Sequence, residues 1–325
     1  MIDAAIVGLG RWGRNFVESL HGQSERLRFV RGVDAAPDKA RAFTEKFGLP
    51  LVADYAAALA DPALRAFVLC TPHSLHRPQV EAAARAGKPV FCEKPLALNL
   101  ADARAMVDAC RKAGVVLGVG HNRRLWPAMQ ELKRLTASGA LGAIQHIEGH
   151  YSNEHSNNTA GTWRDSPAES PGGGLTGAGL HILDAFVNLI GAPRRVHGWW
   201  LTRKPPPVAR DTAMLMFDFP NDVSGQLATV RATPHYWRVH VFGDKGSAEA
   251  RGETELLVHR SGAEPERFTY PPVNALRLQL EAFADAIEGR APFPVSPDDM
   301  LATVRTFEAA VRALETNTAV DLPAG

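Results

Sequence analysis

From residue 1 to about residue 121, short apolar runs alternate with amphipathic helical patterns. AAIVGLG, RFVRGVD, AFVLCTP, KPVFCEK and VVLGVGH read as strands. The first four each lead into a helix-like segment: RWGRNFVESL, PDKARAFTEKF, LHRPQVEAAARAG and NLADARAMVDACRKAG. This alternation predicts an α/β fold, a doubly wound parallel sheet covered on both faces, whose ligands bind outside the carboxyl ends of the strands. Beyond about residue 122 the pattern changes. A helix over about 127–138 precedes the strand AIQHIEGHYS, and the glycine-rich GGGLTGAGLHILDAF reads as a helix beginning near Leu175. Then come RVHGWWLTR, TAMLMFDF, VSGQLATVRAT, RVHVFGD, SAEARG and ELLVHR with no helix between them, the spacing of an open, mostly antiparallel sheet. LRLQLEAFADAIEG and PDDMLATVRTFEAAVRALE return to the 3.6-residue stripe. The expected organisation is a dinucleotide-binding domain over 1–121 and an α+β domain over 122–325.

Composition narrows the function. The 325 residues, 45% of them hydrophobic, suffice for two domains with a core each. Thirty-six Lys and Arg against thirty-five Asp and Glu leave a net charge of +1, with no run of five like charges, so neither nucleic acid nor an acidic membrane is an expected partner. Cys70, Cys92 and Cys110 are odd in number and lack metal-ligand spacing, which points to reduced core residues, a cytoplasmic protein and no metal site. MIDAAIVG enters a strand at once, without the charged start of an export signal, and no apolar window reaches the roughly 18 residues of a membrane span.

Gly8-Leu9-Gly10-Arg11-Trp12-Gly13 follows the first strand and opens the first helix. Gly8 permits the tight turn, Gly10 lets the backbone approach a pyrophosphate and Gly13 allows close packing of helix on strand. Arg11 and Trp12 begin the helix, whose terminal amides are donors for an anion. The next strand ends in Asp34, twenty-one residues after Gly13, where a carboxylate holds a ribose diol. Ala35 and Ala36 offer no cation to a 2′-phosphate, so NAD is expected over NADP, with Arg41 the nearest cation to that edge. The plainer reading is a surface turn and an aspartate capping the helix that begins near Pro37.

At AGKPVFCEKPLALN the pattern becomes specific and resembles the Gfo/Idh/MocA oxidoreductases, the group of glucose-fructose oxidoreductase and inositol dehydrogenase. TPHSLH, GHNRRLWP, GGGLTGAGLHILD and EAFADAIEGRAPFPVSPDD extend the match along nearly the whole chain. The resemblance implies a Rossmann domain joined to a larger α+β domain, with nicotinamide and a polyhydroxylated substrate meeting between them. It implies Thr71 and Pro72 along the cofactor, Glu93 and Lys94 near the nicotinamide, and His181 as the catalytic histidine, followed by Asp184.

Each candidate has a plainer alternative. Lys94, between Glu93 and Pro95 at a strand's carboxyl end, can polarise a carbonyl or hold an alkoxide, or lie on the surface. His76, counted with the cofactor contacts, suits a structural hydrogen-bonding role; His73 flanks the same crevice. Arg123 and Arg124 suit a substrate hydroxyl or carboxylate, or a salt bridge. Tyr151, Asn153, His155, Trp163 and Arg164 have the mixed polar and aromatic character of a sugar pocket, or of a lid. Trp199 and Trp200 must face opposite sides of their strand, which predicts a homodimer or homotetramer formed through the C-terminal sheet. His181, Asp184 and Asn188 share one helix face with Gly177, where many sugar and inositol dehydrogenases of the family carry aspartate. The leading expectation is hydride transfer between NAD and a secondary alcohol of a sugar, cyclitol or related polyol. His181 would exchange the proton, Lys94 would stabilise the alkoxide and Asp184 would orient the imidazole. Gly177 keeps two rivals open: a lyase or hydrolase that retains NAD, and a nucleotide-sensing regulator without turnover.

Overall fold

β1 (Ile2–Val7), α1 (Arg11–Leu20), β2 (Leu27–Val33), α2 (Pro37–Lys46), β3 (Leu51–Val52), α3 (Tyr55–Leu59), β4 (Ala66–Leu69), α4 (His76–Arg85), β5 (Val90–Cys92), α5 (Leu100–Ala113) and β6 (Leu117–Val119) come first in the chain. α6 (Pro127–Ala137), β7 (Ile144–Ser152), α7 (Leu180–Ile190), β8 (Arg195–Leu201), β9 (Thr212–Asp218), β10 (Ser224–Val230), β11 (Tyr236–Gly243), β12 (Gly246–Arg251), β13 (Glu255–His259) and β14 (Glu266–Thr269) follow. α8 (Ala275–Ile287), α9 (Pro297–Thr316) and β15 (Val320–Asp321) close it. This computed structural model describes residues 1–154, 161–202 and 211–322.

Two units emerge, one of residues 1–122 with 274–300, the other of 123–273 with 301–325. In the first, six parallel strands run in the order β3-β2-β1-β4-β5-β6, so the order reverses beside β1, where the glycine loop leaves the sheet. β4 and β5 are buried at every position, because helices on both faces leave a parallel strand no polar side. The sequence pattern assigns 274–300 to the second domain; here it joins the first. Leu280, Phe283 and Ala284 of α8 belong to the same core as Phe16 and Phe91, with the Phe91 and Phe283 rings 5.8 Å apart. Arg26 and Asp285 pair across that packing at 2.6 Å.

In the second unit, nine strands form one sheet in the order β14-β13-β12-β11-β7-β10-β9-β8-β15, antiparallel except for β7 beside β10. Along β7, Ile147, Gly149 and Tyr151 are buried while Glu148 and His150 are half-buried. Gly149 is the contact point for α7: a Cβ there would come within 2.1 Å of Ile182 and 3.0 Å of Phe186. Gly198 likewise faces Leu314 of α9, so β8 turns its even-numbered side inward. Trp199 and Leu201 lie on the opposite side at 38% and 39% exposure, with Met216 of the neighbouring strand at 52%, the alternation expected of the tryptophan pair. Among the described residues no helix is long and apolar enough to cross a membrane.

Candidate active site

The first unit holds the glycine cradle. Gly8 has φ +87°, a left-handed conformation, and a Cβ would strike the Cys70 carbonyl oxygen at 2.7 Å. A Cβ on Gly13 would meet the Gly8 carbonyl oxygen at 2.0 Å, so both positions demand glycine for packing. Gly10 differs: among the described residues nothing lies within 4 Å of where its Cβ would be, which leaves open backbone at the N-cap of α1, beside Arg11 and Trp12. That combination of two tight glycines around one open one fits a pyrophosphate on a helix N-terminus. Asp34 closes the cradle. One carboxylate oxygen accepts from the Leu9 amide at 2.7 Å and the other from the Ala36 amide at 2.9 Å, so the same side chain that suits a ribose diol also locks the loop. Arg41, the cation nearest the 2′ edge, donates to Asp38 at 2.8 Å.

The other first-unit candidates cluster at the ends of β4 and β5. His76 is fully buried, its Nδ1 donating to the Pro95 carbonyl at 2.9 Å and its Nε2 lying 3.2 Å from the Thr71 carbonyl. The ring ties the loop at Thr71 and Pro72 to the one at Lys94 and Pro95. The Thr71 hydroxyl donates to Gln79 at 2.6 Å. Glu93 is buried, accepts the Lys94 amide at 3.2 Å, and packs on Gly120, where a Cβ would meet its carboxylate at 2.5 Å. Lys94 is half-buried at the strand end. Burial pushes the Cys92 thiol well above its usual range and Cys110 to about 12, so both are inert core thiols. Among the described residues no three His, Cys, Asp or Glu side chains are placed to hold a metal.

In the second unit a π-helical turn, Leu175–Gly179, runs directly into α7. Such wide turns shift the residues that follow to a new face and recur at functional sites. The two glycines bounding its second half do different work. Gly179 packs on Leu175 and Thr229, whereas Gly177 is exposed and, among the described residues, nothing lies within 4 Å of its Cβ direction. Leu180 to Val187 are all buried, His181 and Asp184 included. Asp184 is held by Arg124, with Nε donating to both carboxylate oxygens at 3.0 and 3.1 Å and Nη2 to Oδ1 at 2.7 Å, the two side chains 3% and 2% exposed. Asn188 on the next turn accepts from Arg124 at 3.2 Å and from Lys133 at 2.7 Å. Asp184 and Arg124 therefore form a buried ion pair, which Asn188 extends along the same helix face.

Arg123 goes elsewhere. Its guanidinium lies 4.6 Å from the Trp126 ring, 4.4 Å from Tyr151 and 4.6 Å from Trp237, and Nη2 donates to the Tyr151 hydroxyl at 2.8 Å. Burial pushes the Arg123 pKa down, and the neighbouring phenol partly offsets this. Asn153 donates to the same hydroxyl at 3.2 Å, and the Tyr151 ring stands edge-on to His181 at 6.2 Å. Tyr151, Asn153 and His181 are thus brought together, and the Arg164 guanidinium lies over the Trp163 ring at 4.0 Å on a short 3₁₀ turn. His155 lies outside the described residues. Trp126 and Trp237 complete the cluster without being candidates in the sequence pattern. The three-residue step from Arg123 to Trp126 was visible in the chain; Trp237 arrives by cross-strand pairing with Tyr151, which no local pattern records.

A Rossmann unit with this cradle, and a sheet unit presenting a buried histidine edge-on to a tyrosine ring, define an NAD-binding oxidoreductase. Residues 2–121 match an oxidoreductase family with an NAD-binding Rossmann fold and residues 129–249 match the GFO/IDH/MocA C-terminal domain, so the chain belongs to the Gfo/Idh/MocA family. It is 30% identical to D-xylose 1-dehydrogenase (NADP(+)) 2 of Haloferax volcanii over 89% of this chain and 90% of that one. Identity to the myo-inositol 2-dehydrogenase of Thermotoga maritima is 28%, over 98% and 97% of the two chains. The crystal structure of aldose-aldose oxidoreductase from Caulobacter crescentus, complexed with glycerol, superposes with a TM-score of 0.86 at 29% identity, covering 99% of each chain.

Proposed function

We propose that this protein moves a hydride between NAD and a secondary alcohol of a sugar, cyclitol or related polyol. The observation that carries the reading is the cradle: open Gly10 between tight Gly8 and Gly13, cinched by Asp34. The substrate class follows the xylose and inositol dehydrogenases among the relatives. NAD, when bound, supplies the hydride acceptor. His181 exchanges the hydroxyl proton, and its burial beside Tyr151 keeps bulk water from competing for it. Lys94 stabilises the oxyanion with its ammonium. Asp184 acts from within the Arg124 pair, holding α7 and therefore His181 in place. Trp163 and Arg164 offer a ring face and a cation to a polyol. The working form is a homodimer or homotetramer joined through the outer face of the nine-stranded sheet, in the cytoplasm. The test is reduction of NAD by a panel of aldoses, cyclitols and anhydrosugars: steady turnover of at least one is expected. NAD binding with no turnover of any of them would overturn the reading and favour a nucleotide sensor.

A further inference from the structure

Arg123 is a buried cation with an unusual set of neighbours. Three aromatic faces surround its guanidinium at 4.4–4.6 Å, and Nε and Nη1 are buried without a hydrogen-bond partner among the described residues. Its polar contact is Nη2 to the Tyr151 hydroxyl, and no carboxylate pairs with it among the described residues. Burying a guanidinium in this way carries a large desolvation cost, only partly offset by the ring quadrupoles. Packing alone would be served better by methionine or leucine. What a guanidinium adds is a donor of fixed direction, and here that donor is spent on Tyr151.

The consequence lies at the phenol. A guanidinium can only donate, so the Tyr151 oxygen accepts from Arg123, and it accepts again from the Asn153 amide. With both lone pairs engaged, the hydroxyl hydrogen must point to a third atom. No acceptor for it occurs among the described residues, and the rings packed edge-on around Tyr151 are Trp237 at 5.5 Å, His235 at 5.7 Å and His181 at 6.2 Å. Two donors on the oxygen also polarise the O–H bond, which strengthens the hydrogen bond it can give.

We propose that Arg123 is a positioning residue, touching no substrate itself, which presents the Tyr151 O–H as a donor to an oxygen of the polyol held at His181. This rests on the reading of the Tyr151 and His181 surroundings as the substrate site. It also replaces the expectation that Arg123 binds substrate directly.

Two measurements on the full chain separate this proposal from that reading. The protein has four tyrosines, so ¹³Cζ-tyrosine labelling resolves them by NMR, with Tyr151→Phe identifying the Tyr151 signal. In Arg123→Met the Tyr151 Cζ resonance should move toward the value of an exposed phenol, and Arg123→Lys should restore part of the shift. An unmoved resonance in a folded Arg123→Met protein would overturn the proposal, whatever the enzyme turns over. The second measurement is a double-mutant cycle in kcat/KM with NAD and myo-inositol or D-xylose as probes. Arg123→Met and Tyr151→Phe should each lose about tenfold, and the double variant no more than either alone. Multiplying losses would show that Arg123 acts on its own and would also overturn it. If the unmodified protein oxidises neither probe, the functional reading loses support while the resonance still decides the role of Arg123.

Discussion

At the scale of single residues, substitutions at His181, Lys94, Asp34 and Gly177 separate chemistry from packing. His181→Ala and Lys94→Ala should each lower kcat by about 10²–10⁴-fold, the range of a positioned acid-base or electrostatic group. Isothermal titration should find NAD affinity little changed in His181→Ala, since the glycine cradle lies in the other unit. Asp34 has two duties, and the cofactor experiment must respect both. Asp34→Ser with Ala35→Arg should reverse the preference for NAD over NADP, measured as a ratio of dissociation constants. Because a single hydroxyl cannot bridge the Leu9 and Ala36 amides together as the carboxylate does, overall affinity should also fall. Gly177 offers the sharpest contrast with its neighbours. Its Cβ direction is open, whereas a Cβ on Gly149 would press on Ile182 at 2.1 Å. Gly177→Asp should therefore leave the melting temperature nearly unchanged, and Gly149→Ala should lower stability by about 1–3 kcal/mol through overpacking. A kinetic change in Gly177→Asp then reports on the site and not on folding: a sharp rise in KM would mean that substrate fills the space.

At the scale of elements, the outer side of β11 carries a buried titration. His240 stacks on Phe242 at 3.8 Å and shares a hydrogen bond with Ser247 at 2.9 Å. Burial pushes its pKa from 6.5 down to about 4, against the pull of Glu249 and Glu148, while Arg238 and His259 push the same way as burial. His150 on the adjacent strand is lowered for the same reason. The unfolded chain thus binds more protons than the folded one between these values. Stability is fully present above about pH 6.5 and is lost as the pH falls through about 4. Partial exposure discounts the effect to about 1–2 kcal/mol. Urea midpoints should fall between pH 7 and pH 4, and His240→Gln should flatten that slope; an equal slope in the variant would reject the assignment.

At the scale of the whole molecule, the exposed side of β8 and β9 is the feature that a single chain leaves unexplained. Trp199, Leu201 and Met216 form an apolar strip of the kind that marks a protein contact. Light scattering at micromolar concentration should give at least twice the chain mass, and Trp199→Glu should shift it toward the monomer. A monomer in the unmodified protein would remove the sheet from consideration as an interface.

The order of residues alone is enough to read the alternation of strand and helix through residue 121, the meander beyond it, the glycine loop and Asp34. These are local: a strand buried on both faces must be apolar throughout, and a tight turn must carry glycine within a few residues. β3, β14 and β15, of two to four residues, are too short to impose a period and leave no such trace. The stripe on α8 announces an apolar face but not its partner, so the packing of this late segment into the first unit is visible only once the chain is folded. At the site, the sequence names His181, Asp184, Arg123, Arg124 and Tyr151 without their pairings. It takes the fold to close Arg124 on Asp184 sixty residues away while its neighbour Arg123 turns to Tyr151 and Trp237. The physical reason is that a buried cation must take whatever compensation the packed structure brings to it, and for two adjacent arginines that was a carboxylate in one case and three aromatic rings in the other.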